Sequence, residues 1–293
     1  MRFLPAFIKT SFYAVIFSCL TNAAYVAVES DLVDDYQLLD TFSDRTAALY
    51  KAGKSAPVKD LMAQLRRKQT RLTLPAAKST EVLPADLYRQ FKKSTLAVGG
   101  IFDCGNCPEH HPQVASGFVI DGKGVGVTNY HVIETITADD TNVAMSVMTY
   151  EGKVYPITEI LAASKLDDVV IFRFDTAGDT LPAFSLADQV RVGGSANVIS
   201  NPQEHFFLYS RGVVSRYYKA VDDQGNVTGT EALSITADYS VGSSGGPIFD
   251  DNGNIIGVVA ATYGLYSDEE RSDLQMVVKQ IVPLSRIKAL IKP

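Results

Sequence analysis

From Thr95 to about Val282 the chain is a succession of short Val/Ile/Phe-rich runs separated by Gly, Asn and Asp: "TLAVGGIF", "SGFVI", "GVGVTNY", "VAMSVMTY", "DVVIFRF", "SANVIS", "RGVVSRYY", "ALSIT", "GPIFD" and "IIGVVAATY". Their number and spacing suit an all-β sandwich or barrel, or two small barrels. Alternating helices and strands are missing from this stretch, which argues against an α/β-hydrolase arrangement and the esterase reading that goes with it. With 293 residues, 46% of them hydrophobic, the chain has apolar material for one large or two small cores.

Ahead of the strands the character changes. "MRFLPAFIKTSFYAVIFSCLTNAAYVA" has Arg2 and Lys9, an apolar stretch from about Phe12 to Leu20 and then small residues, the layout of an export signal with cleavage after Ala23 or Ala24. The apolar part is too short to span a bilayer. "IFSC" also resembles a lipoprotein box, which would leave a lipid-anchored Cys19; soluble periplasmic or secreted export is the preferred reading. Apolar positions Leu32, Val33, Tyr36, Leu39 and Phe42 predict a helix ending near Gly53, and Pro57 to about Leu72 predicts a second with Leu61 and Leu65 on one face. "LPAAKSTEVLP" reads as a linker, "PADLYRQFKKS" as a short helix, and "VPLSRIKALIKP" as a closing helix. The expected organisation is a leader at 1–24, a helical extension and linker at 25–83 that could act as a pro-segment, and a main domain at 84–293.

Charge divides along the same lines. Residues 51–93 carry eleven Lys/Arg against three Asp/Glu, and residues 94–293 carry thirteen against twenty-four. A basic extension on an acidic body either packs against that body or touches an anionic membrane surface. Nucleic acid is excluded as a partner by the acidic main domain and by export.

Three stretches carry the chemistry. "VTNYHVI" places His131 after a strand, "LDDVVIFRF" opens a strand with Asp167 and Asp168, and "GSSGGP" sets Ser243 and Ser244 among glycines. A hydroxyl, an imidazole to take its proton and a carboxylate to fix the imidazole are the parts of nucleophilic acyl transfer. With these residues the chain resembles the trypsin-like serine peptidases, and among them the bacterial high-temperature-requirement type. "SGFVIDGKGVGVTNYHVI", "DDVVIF", "SNPQEHFFLYSRGVVS" and "GSSGGPIFDDNGNIIGVV" match that family's blocks in order, over roughly residues 88–292.

The resemblance implies two six-stranded β-barrels of the chymotrypsin fold with the site between them, an endopeptidase acting on protein or peptide substrates, and no cofactor. It implies His131, Asp168 and Ser244 as the triad and the amides of Gly242 and Ser244 as the oxyanion hole. Asp167 would then be a solvated loop charge and His205 a loop histidine. Asp238, six residues before Ser244, and the stretch Val259, Ala260, Ala261 and Thr262 are candidates for the substrate pocket. A loop-capping role for Asp238 is an equal alternative.

The chain also departs from the family. Ser243 stands where digestive members keep an aspartate that receives a freed N-terminus, so "AVGGIF" at 97–102 is not expected to act as such a terminus. The sequence ends at Pro293, without the PDZ domain usual in the high-temperature-requirement relatives. "CGNCPEHH" places Cys104 and Cys107 just before His110 and His111, and admits a disulfide, a metal knuckle or free thiols. No metal is assigned to the catalytic chemistry. A protease-shaped binding or chaperone-like module, with the helical extension over the cleft, is the rival reading.

Overall fold

A computed structural model describes residues 32–221 and 227–292. The expected leader and Cys19 lie outside the described residues. Residues 34–293 form one compact unit; of 1–33 only Leu32 and Val33 are described, outside any helix or strand. The elements in chain order are α1 (Asp35–Lys51), α2 (Val58–Gln64), β1 (Thr70–Arg71), α3 (Pro84–Phe91), β2 (Thr95–Asp103), β3 (His110–Asp121), β4 (Val125–Thr128), α4 (Tyr130–Ala138), β5 (Asn142–Met148), β6 (Val154–Ser164) and β7 (Val169–Phe174). There follow β8 (Ser185–Leu186), β9 (Ser195–Ser200), β10 (Leu208–Val221), β11 (Val227–Ile235), β12 (Pro247–Phe249), β13 (Asn254–Tyr266), β14 (Leu274–Pro283), α5 (Leu284–Ala289) and β15 (Ile291–Lys292).

Strand periodicity explains why the first half closes on itself. Along β7, Val170, Phe172 and Phe174 share one core with Leu96, Val98, Val119, Val147 and Ile157, while Val169 and Ile171 on the other face are also buried. Strands β2-β3-β4-β7-β6-β5 form a closed barrel. In the second half β12-β9-β10-β11-β14-β13 are successively paired, and the additional β12–β13 pairing completes a ring of six, with β8 on its edge. The fold is the expected all-β, two-barrel arrangement. "AVGGIF" is an interior part of β2, paired with β3 on one side and β5 on the other.

Aromatic and polar groups join the barrels. Phe91 of α3 and Phe249 of β12 have ring centroids 5.1 Å apart, and Phe184 lies 5.3 Å from Phe91, 5.2 Å from Phe249 and 6.0 Å from Phe118 of β3. Beside this cluster Asn201, fully buried just after β9, reaches across. Its Nδ2 lies 3.1 Å from the carbonyls of Leu96 and Ala115 and from Ser116 Oγ, its own amide donates to Ser116 Oγ (2.9 Å), and its Oδ1 accepts from the Phe207 amide (3.0 Å). A single side chain thus bonds polar groups of both barrels.

The extension docks. In α1, capped by Asp34 accepting from the Gln37 amide (3.0 Å), the inward side carries Phe42 and Thr46 and packs on β5 and β6; Tyr36, read as part of the apolar face, is exposed. α2 is shorter than its sequence pattern, but Leu61 and Leu65 enter the first barrel's core cluster beside Ile133 and Ile136. Arg67 pairs with Glu159 (2.6 Å), and β1 runs parallel to β15. Packing against the acidic body is therefore the fate of this basic segment from Asp34 onward. Among the described residues no helix is long and apolar enough to cross a membrane.

Candidate active site

The register of one strand pair assembles half of the site. β4 and β7 pair with Thr128 opposite Val170, so the residues that follow β4 lie beside those that precede β7. His131, in the first turn of α4, donates its backbone amide to Asp168 Oδ1 (2.9 Å), and its Nδ1 lies 3.1 Å from Oδ1 and 2.9 Å from Oδ2. Asp168 has a left-handed backbone (φ 51°), uncommon for a residue other than glycine. Asn129 Nδ2 holds its carbonyl at 2.8 Å.

An ionised carboxylate can only accept, so Nδ1 carries the proton and Nε2 is left as the basic nitrogen. The Asp168 hydrogen bond raises the His131 pKa above the usual imidazole value; burial opposes this, and the charges of Asp168 and Glu134 add to it. Both side chains are partly open to solvent. Asp167, by contrast, is not a solvated charge. Its side chain is only 16% exposed, accepts from Ser164 Oγ (2.7 Å) and lies 3.5 Å from Arg286 Nε.

The two serines separate cleanly. Ser243 is fully buried, and its hydroxyl accepts from Ser200 Oγ (3.0 Å) and the Ser240 amide (3.3 Å), which makes it a structural hydroxyl. Ser244 is half-buried at the junction of the barrels, its carbonyl accepting from the Ser116 amide (3.0 Å). Ser116 Oγ also donates to the Gly242 carbonyl (2.9 Å). A β-carbon on Gly245 would lie 2.1 Å from Thr128 Oγ1 and 2.3 Å from the Ser116 carbonyl, so only glycine lets this turn approach the segment that leads into His131. No hydrogen bond links Ser244 to His131 among the described residues.

Backbone amides around Ser244 are unequally used. Ser243 donates to Ser240, Gly245 to Val259 and Gly246 to Ser243. The amides of Gly242 and Ser244 have no acceptor among the described residues. Gly242 has φ 91°, and a β-carbon there would meet the Asn201 carbonyl at 2.6 Å and the Gln203 amide at 2.8 Å.

A cleft of about 280 Å³ opens beside His131 and Asp168, lined also by Leu166, Ala260, Ala261 and Ile281. None of residues 34–83 lines it. Of the sequence-derived pocket residues, Ala260 and Ala261 belong to this lining. Val259 is buried and instead holds the Gly245 and Gly246 backbone, and Thr262 is exposed outside the lining. Asp238 is also outside it: its side chain is 90% exposed and lies 3.3 Å from Lys279 Nζ. That lysine, itself buried, also donates to the Tyr239 carbonyl.

Sequence reasoning missed two residues that hold the Ser244 turn, Ser116 and Asn201, and the buried Lys279 beside Asp238. A lone lysine in the apolar run "MVVKQIV" was a readable sign of a buried cation, since such a group needs internal acceptors. Nothing in one sequence marks Ser116.

Residues 115–258 match the family model described as "Trypsin-like peptidase domain". Among curated proteins, "Protease Do-like 5, chloroplastic" of Arabidopsis thaliana is 32% identical over 154 residues, covering 50% of this chain and 48% of that protein. "Serine endoprotease DegS" of Escherichia coli (strain K12) is 26% identical over 208 residues, covering 68% of this chain and 55% of the relative. The crystal structure of Deg5 superposes with a TM-score of 0.52 at 25% identity, covering 70% of this chain and 90% of that one. The chain spans about half the length of the curated relatives it matches. Residues 115–258 thus belong to the trypsin-like peptidase family, on a chain homologous to the Deg/HtrA proteases.

Proposed function

We propose that the protein is an exported serine endopeptidase acting on protein or peptide substrates, with Ser244 as nucleophile, His131 as general base and acid, and Asp168 as the group that orients His131. The observation that carries this reading is the Asp168 carboxylate held against His131 Nδ1 at 2.9 Å, which leaves Nε2 to accept a proton. In the reaction, Nε2 takes the Ser244 proton as Oγ attacks the peptide carbonyl, then returns it to the leaving amine. Water, deprotonated by the same nitrogen, releases the acyl group and restores Ser244. The Gly242 and Ser244 amides, which have no acceptor among the described residues, donate to the oxyanion; each such donor is worth about 10²–10³ in rate. Substrate approach brings the Ser244 hydroxyl to Nε2, a contact often long before a substrate binds.

Ser244→Ala in the full chain should end labelling by a fluorophosphonate probe and hydrolysis of unfolded casein, with the thermal transition unmoved. Labelling that persisted would remove Ser244 from its role. The binding-module reading rests on the unusual Ser243 and on an extension that could cover the cleft; none of residues 34–83 lines the cleft beside His131. Export rests on the leader-like sequence at 1–24. The packing of α2 weighs against a detachable pro-segment, because removing residues 34–83 would take Leu61 and Leu65 out of the barrel core.

A further inference from the structure

The loop joining β2 to β3 holds a cluster that peptide hydrolysis does not use. Cys104 and Cys107 are both free thiols, with their sulfurs 3.2 Å apart. His111 Nε2 lies 3.0 Å from Cys107 Sγ, and the three ligand atoms all fall within 4.8 Å of one another. We propose that Cys104, Cys107 and His111 bind one soft divalent metal ion of the zinc class, with a fourth position open to water or an exogenous donor.

Strand register explains why only one of the adjacent histidines takes part. Phe102 pairs with His111 and Asp103 with His110, and neighbouring residues on a strand face opposite ways. His111 therefore turns toward the cysteines. His110 turns away, its Nδ1 2.6 Å from Asp103 Oδ1 and its ring edge-on to Tyr50 of α1 at 6.3 Å. The sequence pattern offered four soft ligands in one stretch, and the hairpin divides them into three on one side and one on the other.

Distances favour a metal over a covalent bridge. A disulfide would hold the sulfurs at about 2.05 Å, whereas tetrahedral zinc with bonds of about 2.3 Å sets two thiolates roughly 3.8 Å apart. The observed 3.2 Å needs an opening of roughly half an ångström to reach the second arrangement, which the exposed Cys107 side chain can supply by rotation. The Asn106 amide points at Cys104 Sγ (3.5 Å), a backbone donor toward the sulfur as a thiolate ligand requires. The hairpin is tied to the rest of the molecule through Ser43 of α1, whose hydroxyl donates to the His110 carbonyl (3.0 Å). Metal binding would thus firm the contact between the hairpin and α1.

Cobalt(II) is the probe, added to reduced full-length protein carrying Cys19→Ser so that no third thiol contributes. A thiolate-to-cobalt charge-transfer band should saturate at one equivalent and be displaced by zinc. Cys104→Ser and Cys107→Ser should each abolish it, His111→Ala should weaken binding by about tenfold or more, and His110→Ala should leave it in place. Zinc should also raise the melting temperature of the parent protein and not that of Cys104→Ser. Absence of the band, its survival in the double cysteine variant, or a Cys104–Cys107 disulfide in protein recovered from an oxidising compartment with zinc present would each overturn the proposal.

Discussion

The two halves of the candidate site are built differently. His131 and Asp168 are brought together by one ladder: the β4–β7 register sets their backbones side by side, and three contacts between them follow within two short turns. Ser244 has no such single support. Its turn is held by Ser116 from β3, by Val259 from β13, and by the segment after β9, where the Gln203 amide donates to the Val241 carbonyl (2.8 Å). The His131–Asp168 pair is assembled by local strand pairing, and the Ser244 turn by bonds converging from distant parts of the chain. The first half should therefore tolerate disturbance of the barrel junction that the second does not.

The largest effect is expected where the first half is cut. Asp168→Asn should lower kcat by about 10⁴, as loss of the orienting carboxylate does in triads generally. It should also move the acid limb of the kcat/KM profile to lower pH. In its proposed role His131 acts as a base only when neutral, and Asp168 raises its pKa, so the parent should lose activity as pH falls through that raised value. The sign for stability follows the same shift. A histidine whose pKa is raised by folding contributes stability that is fully present below its unfolded pKa and lost as pH rises through the folded one. Melting temperatures of parent and variant should differ more below about pH 6 than in alkali, and only slightly because the pair is half-exposed. An unmoved acid limb would separate Asp168 from the titration of His131.

Strand-length runs over residues 95–282 made an all-β fold legible, while the two-barrel arrangement and the choice of His131 and Asp168 came from the family resemblance. The choice of Ser244 over Ser243 came from resemblance; in the structure the Ser243 hydroxyl is buried and held by Ser200 and Ser240. For Asp238 a spacing of six residues says nothing about Lys279, forty-one residues away in sequence, that lies 3.3 Å from it. The helical extension looked separable because α2 alone buries little. Its Leu61 and Leu65 complete a core whose other members lie many residues later, a relation that periodicity cannot reveal.

An intermediate effect is expected from the clamp between barrels. Asn201→Ala removes the donor to the Leu96 and Ala115 carbonyls and the acceptor of the buried Phe207 amide, at a cost of about 2–4 kcal/mol. For a unit of this size the melting temperature should fall by roughly 5–10 °C. Activity should drop while the acid limb of the pH profile keeps its midpoint, because the β4–β7 register is untouched. A shifted midpoint would mean that the two halves are not independently supported.

The smallest effect tests how far the support of Ser244 extends. Asp35, in the first turn of α1, accepts the Phe206 amide through Oδ1 (2.8 Å), and its Oδ2 lies 3.2 Å from His205 Nδ1. The segment it grips includes Gln203, Glu204 and Phe207, all with positive φ, and Gln203 in turn holds Val241 just ahead of Gly242. Releasing one such hydrogen bond costs about 1 kcal/mol, so Asp35→Ala should reduce kcat on a peptide substrate by roughly three- to tenfold, with the melting temperature nearly unchanged. Asp35→Asn keeps an acceptor for the Phe206 amide and should recover most of the rate. If Asp35→Ala turns over at the parental rate, α1 serves the barrel core alone, and the support of the nucleophile ends at the 201–207 segment.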